Sequence, residues 1–409
     1  MSNLKTLIVL CCTALCSHGL HAQQRVMGIE ELFLLADENS QSIQTYKTGK
    51  EVADEALKVA KAQRLPDINA SLSASYWGNG KLWDRDFSHP TSIDMPHFGN
   101  NLALEAEQVV YAGGAITSGI KLAELGKQMA ELSWQKNRQE IRFLLTGYYL
   151  NLYKLHNQIQ VLQKNLELTE EVIANMKARC EQGTALENDI TRYELQRETL
   201  KLQQTQLEDA CRIMNHQLVT TLHLPEETIL IPDTTLLDQQ IQTLAEEDWQ
   251  KMATQSNLDL QQAQVDIDLN EAKVKLERSE RLPKIAVVAA EHLDGPITIE
   301  VPVLDNNFNY WYVGIGIKYN ISSLFKNNRK LKQAKLNVRQ AEETHRLAQE
   351  QVENAVQAAY VNFLTSFTDL RTQMKNVELA KLSADLNLVN ARINVVYNFY
   401  KMKYVTHTL

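Results

Sequence analysis

The chain is poor in the residues that interrupt helices. Its 409 residues include only 15 glycines and 8 prolines, and this scarcity favours long, uninterrupted helices. An excess of basic residues is missing too, because the formal net charge is −8. Nucleic-acid-binding proteins present basic faces, so this balance argues against a nucleic-acid partner.

Long apolar runs are also absent. The apolar run Leu7–Leu15 follows Lys5 and is too short to cross a bilayer as a helix. A positive residue, a short apolar run and a small residue at Ala22 are typical of an export signal, so we predict a signal peptide over residues 1–22. No later segment is long and uncharged, and no transmembrane helix is expected. The alternative of lipidation at Cys16 lacks the small residue that normally precedes a modified cysteine.

The motifs of common active sites are missing as well. The sequence has no His-Glu-x-x-His, no phosphate-binding Gly-Lys-Ser/Thr loop, no nucleophile elbow and no cysteine pair at zinc spacing. Neither enzymatic activity nor a cofactor or metal is therefore expected. Cys180 and Cys211 fall on apolar helical positions and are interpreted as small core residues. His89 and His97 share a loop without a further residue that would complete a metal site.

The chain does contain a long internal repeat. Residues 60–70 and residues 277–287 both run through Arg-Leu-Pro at the same relative place. Proline disfavours helix in the residue before it, so Pro66 and Pro283 should each mark a switch from helix to strand. A repeat of this length indicates a tandem duplication. We predict three segments in the mature chain: a first repeat over residues 23–232, a connector over 233–257 and a second repeat over 258–409.

Segments next to these prolines alternate between apolar and polar residues. A period of two over about ten residues suits a tilted, membrane-spanning strand. Glu105 and Glu107 cannot lie cheaply in lipid, so their face should look into water. Nearby aromatic residues favour the headgroup level and are predicted interface anchors: Trp77, Trp83, Trp311 and Tyr312. The predicted strands are Asp67–Tyr76, Asn101–Tyr111, Ile285–His292 and Tyr310–Tyr319.

Apolar residues spaced by three and four predict long helices. A helix over about 116–182 breaks at Gly183, and a second helix returns to Pro225 as an antiparallel hairpin. In the second repeat a helix is expected over about 327–390, with its tip near Asn394. The remaining sequence has no glycine and no pattern of a returning helix, so that helix is expected to be missing. Shorter helices are predicted over residues 29–39, 43–64 and 258–282.

Four strands per chain are too few for a membrane barrel. The smaller closed barrels have about eight strands, and an open edge has no hydrogen-bonding partner in lipid. Several copies of the chain would therefore have to pool their strands. The helices would then leave the membrane on one side as a long bundle.

These features together resemble the TolC family of outer-membrane efflux proteins. The likeness covers about residues 28–390 and rests on the two Arg-Leu-Pro exits, on the passage Val109-Val-Tyr-Ala-Gly-Gly114 and on the tip from Gly183 to Asp189. It implies a homotrimer in the outer membrane of Gram-negative bacteria, with a twelve-stranded barrel and a periplasmic helical tunnel. It also implies an adaptor protein and an inner-membrane pump as partners, in drug efflux or type I secretion. The conduit itself would be passive.

By the same resemblance, residues near the helical tips are gate candidates. Asp189 could line the periplasmic mouth, and Arg392 could pair with an acidic residue of a neighbouring copy. The alternative for Asp189 is a solvated or capping carboxylate at a helix start. For the whole chain, two alternatives stay open: an exported coiled-coil scaffold without a pore, and a shortened or frame-shifted family member without function.

Overall fold

The computed structural model describes residues 24–238, 241, 243–297, 303–379 and 383–409. The predicted signal peptide, residues 1–22, lies outside the described residues. The fold is mainly helical with a small β part, as expected from the sequence. The helices are α1 Ile29–Asn39, α2 Gln41–Ala62, α3 Ala115–Glu181, α4 Glu187–Leu222, α5 Glu246–Ser256, α6 Leu258–Ser279, α7 Ser323–Leu379 and α8 Ser383–Val405. The strands are β1 Gln24–Met27, β2 Asp67–Tyr76, β3 Gly80–Leu82, β4 Thr91–Ile93, β5 Phe98–Tyr111, β6 Ile229–Pro232, β7 Lys284–Gly295 and β8 Phe308–Lys318.

The chain divides into two compact units, and each takes segments from both predicted repeats. The first unit comprises the described residues up to Gly49, then Glu131–Gln261 and Leu347–Leu409. The second unit comprises Lys50–Ala130 and Gln262–Arg346.

Across the described ranges, no helix combines the length and the hydropathy needed to cross a membrane.

The duplicated Arg-Leu-Pro segments have the same local structure. In both, two backbone N–H groups donate to carbonyls three residues earlier, which closes a tight turn at the helix end. Pro66 and Pro283 follow these turns directly, and β2 and β7 begin at the next residue. Each proline thus stands where helix gives way to strand. The N–H groups of four residues donate to these carbonyls at N···O distances of 2.8–3.1 Å: Arg64 to Lys61, Leu65 to Ala62, Arg281 to Arg278 and Leu282 to Ser279.

Four strands form one antiparallel sheet in the order β2–β5–β7–β8. All four predicted strands are present. Strands β5, β7 and β8 begin one to three residues earlier than predicted, β7 also ends three residues later, and β8 ends one residue earlier. The central pairing, β5 with β7, joins the two predicted repeats. A small hairpin of β3 and β4 lies between β2 and β5, in the segment that contains His89.

The hairpin of the first repeat confirms the helical pattern, but that of the second repeat corrects it. Helix α7 ends at Leu379, and α8 returns along it, so the expected tip near Asn394 and the expected lack of a returning helix are both wrong. The rings of Phe363 in α7 and Phe399 in α8 lie 6.2 Å apart. One face of α8 packs on α7 through Val395 and Met402.

The opposite face of α8 explains why this helix was missed. Ile393, Val396 and Tyr400 pack into the core formed by α1, α3 and α4. A helix buried on two sides lacks a clear amphipathic stripe. Residues 380–382, between α7 and α8, lie outside the described residues.

Buried Tyr149 forms hydrogen bonds to the end of β1 and to the residue after β6 in this core. The hydroxyl of Tyr149 on α3 donates to the carbonyl of Met27 at 2.9 Å and accepts from the backbone N–H of Asp233 at 2.8 Å. Burial raises the pKa of Tyr149 to about 12. The bonds fix β1, which pairs in parallel with β6, against α3.

Asp37 on α1 forms an ion-pair cluster with two arginines of α3. Its carboxylate accepts from Arg138 Nε at 2.8 Å and also from Arg142. Burial alone would raise the pKa of Asp37, but the hydrogen bonds and charges of the two guanidinium groups outweigh it and hold the pKa below its ordinary value. The cluster therefore holds α1 on α3 as long as Asp37 is ionised.

This cluster predicts how stability depends on pH. A lowered native pKa means that the stabilisation is complete above about pH 4 and is lost as the pH falls through the native pKa. We expect Asp37→Asn to lower the free energy of unfolding by about 1–2 kcal/mol at neutral pH, allowing for solvent screening. Thermal unfolding in detergent at a series of pH values measures this. The difference in stability between Asp37→Asn and the unsubstituted chain should shrink in acid, and a difference that stays constant with pH would contradict the prediction. Glu51→Gln, on the exposed surface of α2, is the control.

Candidate functional site: a two-faced sheet and a helical tip

One face of the β2–β5–β7–β8 sheet is apolar and exposed. Alternation along each strand and the observed pairing place these side chains on the same side, as in the row Ile68, Ala106, Ala289 and Val313. Leu72, at the centre of β2, is 76% exposed. A continuous exposed apolar surface indicates contact with lipid or with another protein surface. We call this the apolar face; its large members are Ile68, Leu72, Tyr76, Phe98, Leu102, Leu104, Val287, Leu293, Trp311, Val313, Ile315 and Ile317.

The other face carries the polar and acidic residues. Glu105 and Glu107 lie on it, in agreement with the alternation of the sequence. The apolar face has an exception in Glu291, whose carboxylate accepts from Asn309 at 3.3 Å. We call the second surface the polar face; its members with polar side chains include Asp67, Asn69, Ser71, Ser73, Ser75, Asn101, Glu105, Glu107, Lys284, His292, Asp294, Tyr310, Tyr312 and Lys318.

The predicted interface aromatics do not share one surface. Trp311 lies on the apolar face and is 73% exposed. Tyr312 follows it on the polar face, where its ring stacks at 6.2 Å from the ring of His292. The indole N–H of Trp77 donates to Ser75 Oγ, also on the polar side. Trp83 lies in the loop after β3 and is half exposed. Trp311 alone among the four is therefore placed with the apolar face.

Sequence reasoning missed a set of aromatic rings on the polar face. Phe308, Tyr310 and Tyr312 alternate along β8, and His292 on β7 lies opposite Tyr310. The period-two spacing of the aromatic residues places the three rings of β8 on one face. The sequence does not show which strand lies beside β8, so it does not predict that His292 joins them.

The tip between α3 and α4 is a tight, glycine-dependent turn. Gly183 has a φ of +72°, which favours glycine. Its N–H donates to the carbonyl of Cys180, and the N–H of Thr184 donates to that of Arg179, both at 2.9 Å. This pairing satisfies the last carbonyls of α3, as in other helix ends that close on a left-handed residue.

Asp189 lies exposed in the first turn of α4. Its carboxylate accepts from the backbone N–H of Leu186 at 3.4 Å, so it acts as a capping residue there. Arg392 lies within α8, nine residues after Ser383, or about 13 Å along the helix axis. The structure therefore places Arg392 well inside α8 and not at its start.

The histidines and cysteines named in the sequence analysis are not grouped as metal ligands in the described part of the chain. His89 pairs with Asp84 at 3.0 Å, and His97 Nδ1 lies 2.8 Å from the carbonyl of Trp77. Within the described ranges, no group of three or more His, Cys, Asp or Glu side chains is arranged to hold a metal ion. Cys180 and Cys211 are free and partly buried, and burial raises the pKa of the Cys211 thiol.

Comparison with known proteins agrees with this arrangement. The chain is similar to the outer-membrane channel OprN, with a TM-score of 0.69 and 14% identity over 93% of this chain and 90% of that chain. It is similar to the outer membrane protein VceC of Vibrio cholerae, at 0.66 and 13% over 93% and 94%. It is also similar to the open state of the MtrE outer membrane channel of Neisseria gonorrhoeae, at 0.63 and 16% over 93% and 87%. At such identities these structures establish the fold alone.

Sequence comparison establishes the family. No curated protein sequence matches the chain significantly. The family model described as "Outer membrane efflux protein" matches residues 32–222 and 249–395, most of the chain. This chain therefore belongs to the outer membrane efflux protein family and is a protein of the cell outer membrane.

Proposed function

We propose that three copies of this chain form one passive channel through the outer membrane. The observation that carries the proposal is the two-faced sheet with open edges: in the described part of the chain, β2 and β8 each pair on one side only. Unpaired backbone groups are not tolerated in lipid, and pairing β8 of one copy with β2 of the next would remove them. Three copies supply twelve strands, enough for a closed barrel.

In this arrangement the apolar face contacts lipid and the polar face lines a water-filled lumen. Trp311 is the proposed interface anchor on the lipid side. The helical hairpins α3–α4 and α7–α8 form the periplasmic part of the conduit. An adaptor protein and an inner-membrane pump complete a tripartite efflux or type I secretion system. The channel contributes no chemistry of its own.

Purification and electrical recording test this proposal. The full chain in detergent should have the mass of a trimer by light scattering, and it should conduct ions after insertion into a planar bilayer. Detergent should be needed to keep it soluble. A freely soluble monomer without conductance would contradict the channel and favour the coiled-coil scaffold.

We further propose that the charge of Asp189 contributes to ion passage at the periplasmic mouth. Because Asp189 also caps α4, Asp189→Ala alone cannot separate charge from helix stability. Asp189→Asn keeps a side-chain acceptor and removes the charge, and both variants should lower the cation preference of the pore by roughly twofold. Bilayer recordings of both, with Arg392→Ala for comparison, measure this. Unchanged selectivity in Asp189→Asn would leave capping as the role of Asp189.

A further inference from the structure

The polar face carries a row of stacked rings that a passive water-filled lumen does not require. Phe308 and Tyr310 have ring centroids 5.2 Å apart, Tyr310 and His292 5.0 Å, and His292 and Tyr312 6.2 Å. The interplanar angles are 27°, 17° and 12°, so successive rings are nearly parallel. We call Phe308, Tyr310, His292 and Tyr312 the aromatic row.

The rings of β8 are accessible, and small residues lie beside them. Phe308 is 53% and Tyr312 47% exposed. On the same face Ala103 pairs with His292, and Ala290 pairs with Tyr312. These two side chains are too short to cover the neighbouring rings. A flat ligand could therefore contact the ring faces or edges without displacing protein side chains.

Two carboxylates flank the aromatic row. Asp294 accepts from the hydroxyl of Tyr310 at 3.3 Å, and its other oxygen accepts from Asn101. Glu105 Oε1 lies 3.9 Å from His292 Nε2. The lysines of this face, Lys284 and Lys318, pair with each other at the far end of the strands. Six residues separate Lys318 from Tyr312, a rise of about 20 Å, so they offset little of the negative charge near the rings.

Aromatic faces and carboxylates together favour one class of ligand. A cation is attracted to the face of an aromatic ring and to a carboxylate, and a planar ring stacks on other rings. An anionic compound would be repelled, and an aliphatic cation would gain the attraction to carboxylates and ring faces but no ring stacking. We propose that the aromatic row, with Glu105 and Asp294, forms a binding subsite for cationic aromatic compounds that pass through the lumen. The inference rests on the proposed channel, which makes this face the lumen wall.

Ethidium, a planar fluorescent cation, is a suitable probe. Fluorescence titration of the purified full chain in detergent measures its affinity. Removing both accessible tyrosine rings in Tyr310→Leu/Tyr312→Leu should weaken binding about tenfold, and Glu105→Gln should weaken it about threefold. Tyr310→Phe keeps the ring and loses the hydroxyl, so it should bind nearly as the unsubstituted chain does. Glu107→Gln removes a charge two residues along the same strand and serves as the charge control.

A second measurement separates this inference from the proposed channel. In planar bilayers, ethidium should block the current of the unsubstituted pore at lower concentration than that of Tyr310→Leu/Tyr312→Leu. The two pores should differ less in their block by tetraethylammonium, which is attracted to ring faces but cannot stack on them. Potassium conductance without ethidium shows that each variant is folded and inserted. A conducting pore whose ethidium affinity is unchanged by the ring and carboxylate substitutions overturns the subsite. Ethidium binding that follows these substitutions in a chain without conductance supports the subsite and contradicts the channel.

Discussion

Leu72→Arg is expected to keep the protein out of the outer membrane, whereas Ser71→Arg should be tolerated. The two residues are neighbours at the centre of β2, and alternation places Leu72 on the apolar face and Ser71 on the polar face. An arginine facing lipid near the bilayer midplane costs about 2–4 kcal/mol per copy. In a trimer this cost is incurred three times. The same arginine in a water-filled lumen keeps its hydration.

Fractionation of cells that express each variant measures this difference. The unsubstituted chain and Ser71→Arg should remain with outer membranes after a salt wash, and Leu72→Arg should be depleted from them. Equal membrane recovery of both arginine variants would contradict lipid contact at the apolar face. Equal loss of both would instead show that this part of β2 tolerates no large side chain on either face.

Gly113→Ala is expected to destabilise the protein strongly, because both the backbone conformation and the space at this position require glycine. Gly113 lies between β5 and α3 with a φ of +62°. A Cβ there would meet Leu282 Cβ at 2.7 Å and the carbonyl oxygen of Ser279 at 2.9 Å. The left-handed conformation and the forced contact together should cost about 2–5 kcal/mol. The glycine is needed because the first strand-to-helix passage packs against the second Arg-Leu-Pro turn.

Gly114→Ala is the matched control for that substitution. Gly114 also has a positive φ, +90°, but its nearest atom to an added Cβ is Thr117 Oγ1 at 3.7 Å. Only the conformational cost applies, about 1–2 kcal/mol. Thermal unfolding midpoints in detergent should therefore fall further for Gly113→Ala. Equal midpoints would show that the contact with the Arg-Leu-Pro turn relaxes without cost.

Much of the fold follows from local patterns in the sequence. Pro66 and Pro283 follow the two Arg-Leu turns, and the helices end before them, since the residue before proline avoids the helical conformation. Period-two alternation fixes which side chains of β2 share a face, because successive residues of a strand point in opposite directions. Spacing by three and four similarly predicts the α3–α4 hairpin.

Other features depend on contacts between distant segments. The sequence did not show that β5 pairs with β7, and this pairing brings Glu105 beside His292. It did not show that Asp37 meets Arg138 and Arg142 about one hundred residues later. Such contacts leave no periodic trace, because either partner alone is an ordinary polar residue.

The sequence by itself determined the two repeated Arg-Leu-Pro turns, the helix ends before them and the two faces of each strand, because these depend on backbone preferences and on local periodicity. The tertiary structure decided the return of α8 along α7, the strand order across the two repeats and the stacking of Tyr312 on His292 rather than beside Trp311. These depend on which apolar surfaces and hydrogen-bonding edges meet, and that is settled only when the whole chain packs.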